Sequence, residues 1–196
     1  DLDGDGIVDL VIGAPQALGH SGRAYLLSGA NPPPSSALSD AAFATIDGEE
    51  GANLGSSIAT TVRDGVPFLL MGASGFEAGK GSAILVNATT LGGIARFEYD
   101  ASAPDHLGRT VAVADLDGDG IDELIVGGPD RRVGQLFDVG QIFVFNGAIE
   151  RTGLVASGSA DQHITADQGF RRVGQHIVVS DLDGDGRAEL LLPTRS

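Results

Sequence analysis

One six-residue string constrains this fold more than any other feature: Asp-Leu-Asp-Gly-Asp-Gly occurs at residues 1–6, 115–120 and 181–186. The second and third copies are preceded by matching runs, LGRTVAVAD ending at Asp115 and VGQHIVVSD ending at Asp181. A degenerate copy runs from Leu54-Gly55 through Asp64-Gly65 to Ala73. Taking Gly6, Gly65, Gly120 and Gly186 as markers, the period is about 60 residues, within reach of propeller blades or similar stacked units.

Each repeat reads as four strands. The first is the apolar run before the acidic string, such as Thr110–Ala114. The second follows it, at 8–12, 68–71, 123–126 and 188–192. The third opens on glycine, at 22–27, 81–86 and 140–145, and the fourth is more polar, at 43–46, 95–99 and 162–165. Short apolar runs bounded by Gly, Pro, Asn and Asp are the strand pattern, and helical spacing is sustained nowhere. The weak fourth strand suits an outer blade edge facing solvent. Asn31–Ser36, with its three prolines, reads as a loop between the third and fourth strands. The chain is expected to be one all-β segment, 1–196, with repeat units at roughly 1–50, 51–103, 104–168 and 169–196.

The acidic strings read as cation loops of the form Asp-x-Asp-Gly-Asp-Gly-x-x-Asp/Glu. Aspartates at positions one, three and five can all turn inward when the chain curls around an ion, and the glycine at six permits the sharp turn. The expected ligands are Asp1, Asp3, Asp5, Ile7 and Asp9 in the first loop, and Asp115, Asp117, Asp119, Ile121 and Glu123 in the second. In the third they are Asp181, Asp183, Asp185, Arg187 and Glu189. Position seven contributes its backbone carbonyl and position nine closes the shell. Oxygen-only ligands, several of them charged, point to a hard cation, and Ca²⁺ tolerates such irregular cages better than Mg²⁺. About three Ca²⁺ ions are expected, and without them the crowded carboxylates should repel and open the loops.

An EF-hand needs a Glu at position twelve and flanking helices. Position twelve here is Ile12, Val126 or Leu192, each inside an expected strand. A plain solvated Asp-Gly hairpin is the simpler alternative, but three near-identical copies with the same four acids argue against it. The degenerate copy is two residues shorter and keeps only Asp64, so a plain turn suffices there.

The chain has 27 acidic and 12 basic residues and a formal charge of −15, which disfavours nucleic acid as a general partner. It has no cysteine, hence no disulfide framework and no thiolate metal site. No apolar run is long enough for a membrane-spanning helix. No secretory leader is visible, and the start at Asp1 leaves room for a missing N-terminal part. The four histidines are scattered, with no zinc spacing. No nucleophile elbow, P-loop or dinucleotide fingerprint appears. Asn87-Ala88-Thr89 is a formal glycosylation sequon of a kind that arises often by chance, and Arg131-Arg132 and Arg171-Arg172 read as solvated pairs.

These residues resemble the FG-GAP repeats of integrin alpha subunits and of bacterial surface proteins. The Phe-Gly-like starts are Leu54-Gly55, Leu107-Gly108 and Val173-Gly174. The Gly-Ala-Pro-like ends are Gly13-Ala14-Pro15, Gly72-Ala73-Ser74 and Gly127-Gly128-Pro129. The resemblance implies a β-propeller, with calcium held in hairpins joining the first two strands of a blade. It covers a little over three blades of four antiparallel strands, which implies further chain segments or a second copy to complete a ring. Integrin propellers carry disulfides and this chain has none, which favours a bacterial relative. The last repeat reads Leu192-Pro193-Thr194 where Gly-Ala-Pro is expected, so its second strand should end early.

The expected function is a secreted or cell-surface, non-catalytic module for adhesion or protein interaction, taking a protein or glycan ligand on the propeller face. A carbohydrate-binding propeller, or the non-catalytic domain of an exported hydrolase or lyase, are the alternatives.

Overall fold

The computed structural model describes residues 1–30, 37–99, 104–147 and 152–193. The expected loop at 31–36 and Thr194 lie outside these residues.

The described chain forms a series of small sheets. The first holds β1 (Leu10–Ala14), β2 (Arg23–Leu27) and β3 (Ala44–Asp47), in that order. The second holds β4 (Leu54–Arg63), β5 (Val66–Ala73), β6 (Ser82–Asn87) and β7 (Gly93–Glu98). The third holds β8 (Thr110–Ala114), β9 (Glu123–Gly128), β10 (Gln141–Phe145) and β12 (Gln162–Thr165). The fourth is the pair β13 (Val178–Ser180) and β14 (Glu189–Leu191). Successive strands within each sheet pair antiparallel, the meander of a propeller blade. The helical segments α1 (Ala17–His20), α2 (Leu38–Ala41) and α3 (Phe76–Gly79) are single turns.

Both faces of the inner blades are buried, and residues alternate strictly between them, as pleating requires. On β5, Leu70 packs toward the third sheet with Leu85, Phe97, Leu124 and Phe143. Its neighbours Leu69 and Met71 pack toward the first sheet with Leu26 and Leu54. On β9, Leu124 and Val126 join the cluster facing the second sheet, and Ile125 joins the one facing the fourth. This double burial explains why these strands read as continuous apolar runs. Each fully buried Leu or Ile contributes roughly 1.5–3 kcal/mol over its exposed state.

The blades meet along β1, β4, β8 and β13, each packing on the next. The Gly-Ala-Pro-like and Phe-Gly-like glycines form the clasp. A Cβ on Gly13 would lie 2.1 Å from the carbonyl oxygen of Gly55, and one on Gly127 would lie 2.5 Å from that of Gly174. The third-strand glycines close the same joint through parallel bridges, Gly22 to Leu54, Gly81 to Leu107 and Gly140 to Val173.

Two readings need correction. A strand absent from the sequence reading, β11 (Gly153–Ala156), pairs parallel with β7 and makes the second sheet five-stranded. Its Val155 is buried in the core between the second and third sheets, while Leu154 and Ala156 face outward. One inward side chain in four residues leaves no readable alternation. The second strand of the first repeat begins at Leu10 rather than residue 8, because Asp9 is engaged by the loop and Val8 is exposed. The short β14 ends before Leu192-Pro193, as the departure from Gly-Ala-Pro suggested.

Candidate metal centre

The three acidic loops share one hydrogen-bond pattern. The first-position carboxylate accepts two amides across the turn. Asp1 takes those of Gly4 and Gly6 at 2.7 and 2.9 Å. Asp115 takes Gly118 and Gly120 at 2.7 and 2.8 Å, and Asp181 takes Gly184 and Gly186 at 2.7 and 3.0 Å. Gly4 and Gly6 sit at φ 84° and 85°, a region that L side chains rarely adopt, so these glycines let the amides point inward.

The third-position carboxylates accept from the fifth-position amides: Asp3 from Asp5 at 3.1 Å, Asp117 from Asp119 at 3.2 Å and Asp183 from Asp185 at 3.1 Å. The fifth-position carboxylates accept from position seven. Asp5 bonds Ile7 and Asp119 bonds Ile121, each at 2.8 Å, and Asp185 bonds Arg187 at 2.9 Å. In Asp3, Asp5 and their counterparts these bonds engage only Oδ1.

Position nine ties the second strand to the start of the loop. Glu123 Oε2 accepts the Leu116 amide at 2.8 Å, and Glu189 Oε2 accepts that of Leu182 at 2.7 Å. The shorter Asp9 uses both oxygens: Oδ2 takes Leu2 at 2.6 Å and Asp3 at 3.3 Å, and Oδ1 takes Gly29 at 2.9 Å. Burial opposes its ionisation, but the amides of Leu2, Gly29 and Asp3 outweigh it and hold the carboxyl below its usual range. Burial instead pushes Glu123 up. The Leu116 amide opposes this, and the nearby Asp117, Asp119 and Asp115 carboxylates add to it.

The structure brings together three oxygens per loop within 4.8 Å of one another: Asp1, Asp3 and Asp5; Asp115, Asp117 and Glu123; Asp181, Asp183 and Glu189. Oxygens sharing one Ca²⁺ at about 2.4 Å lie at most about 4.8 Å apart, so the spacing fits a single such ion. Asp9, Asp119 and Asp185 fall outside these triads. The donors are carboxylate oxygens throughout, the set a hard cation takes.

Asp64 stands apart. With Gly65 it forms the two-residue turn of the β4–β5 hairpin, at φ 51° and 77°, and no acidic triad includes it. Three tethers were not legible in the sequence. Gly29 donates to Asp9, Thr61 Oγ1 donates to Asp122 at 2.5 Å, and the Ala188 amide donates to the Asp115 carbonyl at 2.8 Å. The first ties the loop to the far end of its own hairpin and the other two cross between blades, and such non-local pairings leave no local signal.

No described helix is long and apolar enough to cross a membrane. In comparisons with known proteins, residues 1–27 and 107–145 match the FG-GAP repeat model. The chain is similar to phosphatidylinositol-glycan-specific phospholipase D of Mus musculus, 33% identical over 85 residues, covering 43% of this chain and 10% of that protein. The Rattus norvegicus protein of the same name is 32% identical over 85 residues. The chain thus spans about a tenth of the length of these relatives. The matched stretches hold the first two acidic loops and the strands that follow them, so residues 1–27 and 107–145 are similar to FG-GAP repeats in both sequence and local fold.

Proposed function

We propose that this chain is a calcium-stapled propeller segment that acts as a non-catalytic protein-interaction module outside the cell. The carrying observation is the threefold recurrence of one hydrogen-bonded loop that gathers three carboxylate oxygens within a single ion's reach. Each Ca²⁺ is held by the carboxylates of positions one, three, five and nine and by the carbonyls of Ile7, Ile121 and Arg187. The ion neutralises the acid and fixes the hairpin, so its binding stabilises the fold by mass action. The turns at the other ends of the blades are left to contact a protein or glycan ligand or a second copy. The test is calorimetric titration of metal-stripped protein with Ca²⁺. About three ions per chain are expected, and no saturable uptake overturns the reading.

A second reading rests on the relatives. Their name describes a phospholipase, of which this chain matches about a tenth. Here the segment is an accessory domain of a longer exported enzyme whose chemistry lies elsewhere. Recovery of hydrolytic activity from the full gene product, but not from residues 1–196, supports it.

A further inference from the structure

Where the inner strands converge, a cavity of about 660 Å³ opens at the end of β8 opposite the acidic loop. Its wall is built from the same two positions of three successive repeats, those directly after the Phe-Gly-like pair. These are Ser56-Ser57, Arg109-Thr110 and Gln175-His176. The backbone plan is therefore common to the three blades, and the side chains differ. Two of them are held by bonds across the blade joints: the Ser57 hydroxyl accepts the Val111 amide at 3.0 Å, and Thr110 donates to the Gln175 carbonyl at 2.7 Å.

The charge of this wall runs against that of the molecule. In a chain of net charge −15, no Asp or Glu lines the cavity. Arg109 does, and no hydrogen bond or ion pair to its guanidinium is found among the described residues. Several other arginines are paired: Arg23 with Asp47, Arg96 with Glu49 and Arg131 with Asp105. His20 adds a further ring nitrogen from the turn after β1. A planar guanidinium beside hydroxyl, amide and imidazole groups matches the multiple acceptor oxygens of an anion.

We propose that this cavity binds an oxyanion, a carboxylate or a sulfate- or phosphate-type group, with Arg109 as its charged anchor. Gln175, His176 and His20 supply further hydrogen-bonding groups around it. The site lies away from the calcium loops and does not depend on their occupancy.

The test is titration with sulfate, with succinate and with neutral glucose at fixed calcium, using wild type, Arg109→Gln and the control Arg96→Gln. Sulfate or succinate should bind saturably, and which of them binds separates tetrahedral from carboxylate recognition. Arg109→Gln should weaken that binding by about tenfold or more, Arg96→Gln should leave it unchanged, and glucose should not bind. Absence of saturation, equal weakening by both variants, or glucose binding retained in Arg109→Gln overturns the proposal. Should Arg109→Gln misfold, the Arg109 side-chain NMR resonance of wild type decides. It should move saturably with the anion, and a stationary resonance refutes the site.

Discussion

The carbonyl oxygen of Gly108 sits 1.9 Å from the point where a side chain on Gly72 would begin. The two glycines belong to adjacent blades, so the contact sets how closely β5 and β8 approach. Gly72→Ala must push the blades apart, at a cost of about 1–3 kcal/mol or more. Gly93→Ala meets open space and should cost far less. Thermal melts should show a drop of several degrees for the first variant and little change for the second.

Calcium should raise the melting temperature and EDTA should lower it. At a free concentration a hundredfold above Kd, each site adds roughly 2.7 kcal/mol. Asp117→Ala and Asp183→Ala should each weaken one site, while Asp64→Ala should leave the stoichiometry intact. Loss of one ion in Asp64→Ala would show that the β4–β5 turn is more than a hairpin.

Asp105 gives stability a pH dependence. Burial and the Asp130 carboxylate push it up to about 6, despite the Arg131 guanidinium 3.2 Å away. An unfolded Asp titrates near 4, so between about 4 and 6 the native state holds the extra proton. This contribution is complete below the unfolded value and is lost as pH rises through the folded one. It amounts to at most about 3 kcal/mol. Denaturant midpoints across that window should therefore fall with rising pH, less steeply in Asp105→Asn. Equal slopes in both proteins would rule this out.

The parallel strand β11 makes a fourth test. Val155→Ala removes buried methyls from the core between the second and third sheets and should cost roughly 1 kcal/mol. Leu154→Ala acts at an exposed position and should change stability by less than about 0.5 kcal/mol. Comparable losses would mean that β11 is not seated on β7.

The sequence carried the strands and loops but not the joints between blades. Thr110–Ala114 and Gln162–Thr165 were legible to the residue, because apolar runs between turn residues mark strands locally. The acidic loops were legible because three copies repeat the same spacing. β11 was not, since its partner lies in the preceding repeat and only Val155 points inward. Nor was the different role of position nine in the first loop, where Asp9 reaches the Gly29 amide. The cavity at the end of β8 left no mark in the sequence, because Arg109, Ser56 and Gln175 share a repeat position while differing in chemistry.

Because β11 comes from the third repeat yet completes the outer side of the second, the sequence period and the mechanical unit do not coincide. Cutting out residues 104–168 would remove one blade and leave its neighbour with a bare flank. Recombination that shuffles such repeats must therefore move them in linked pairs, or supply a substitute strand at each new seam.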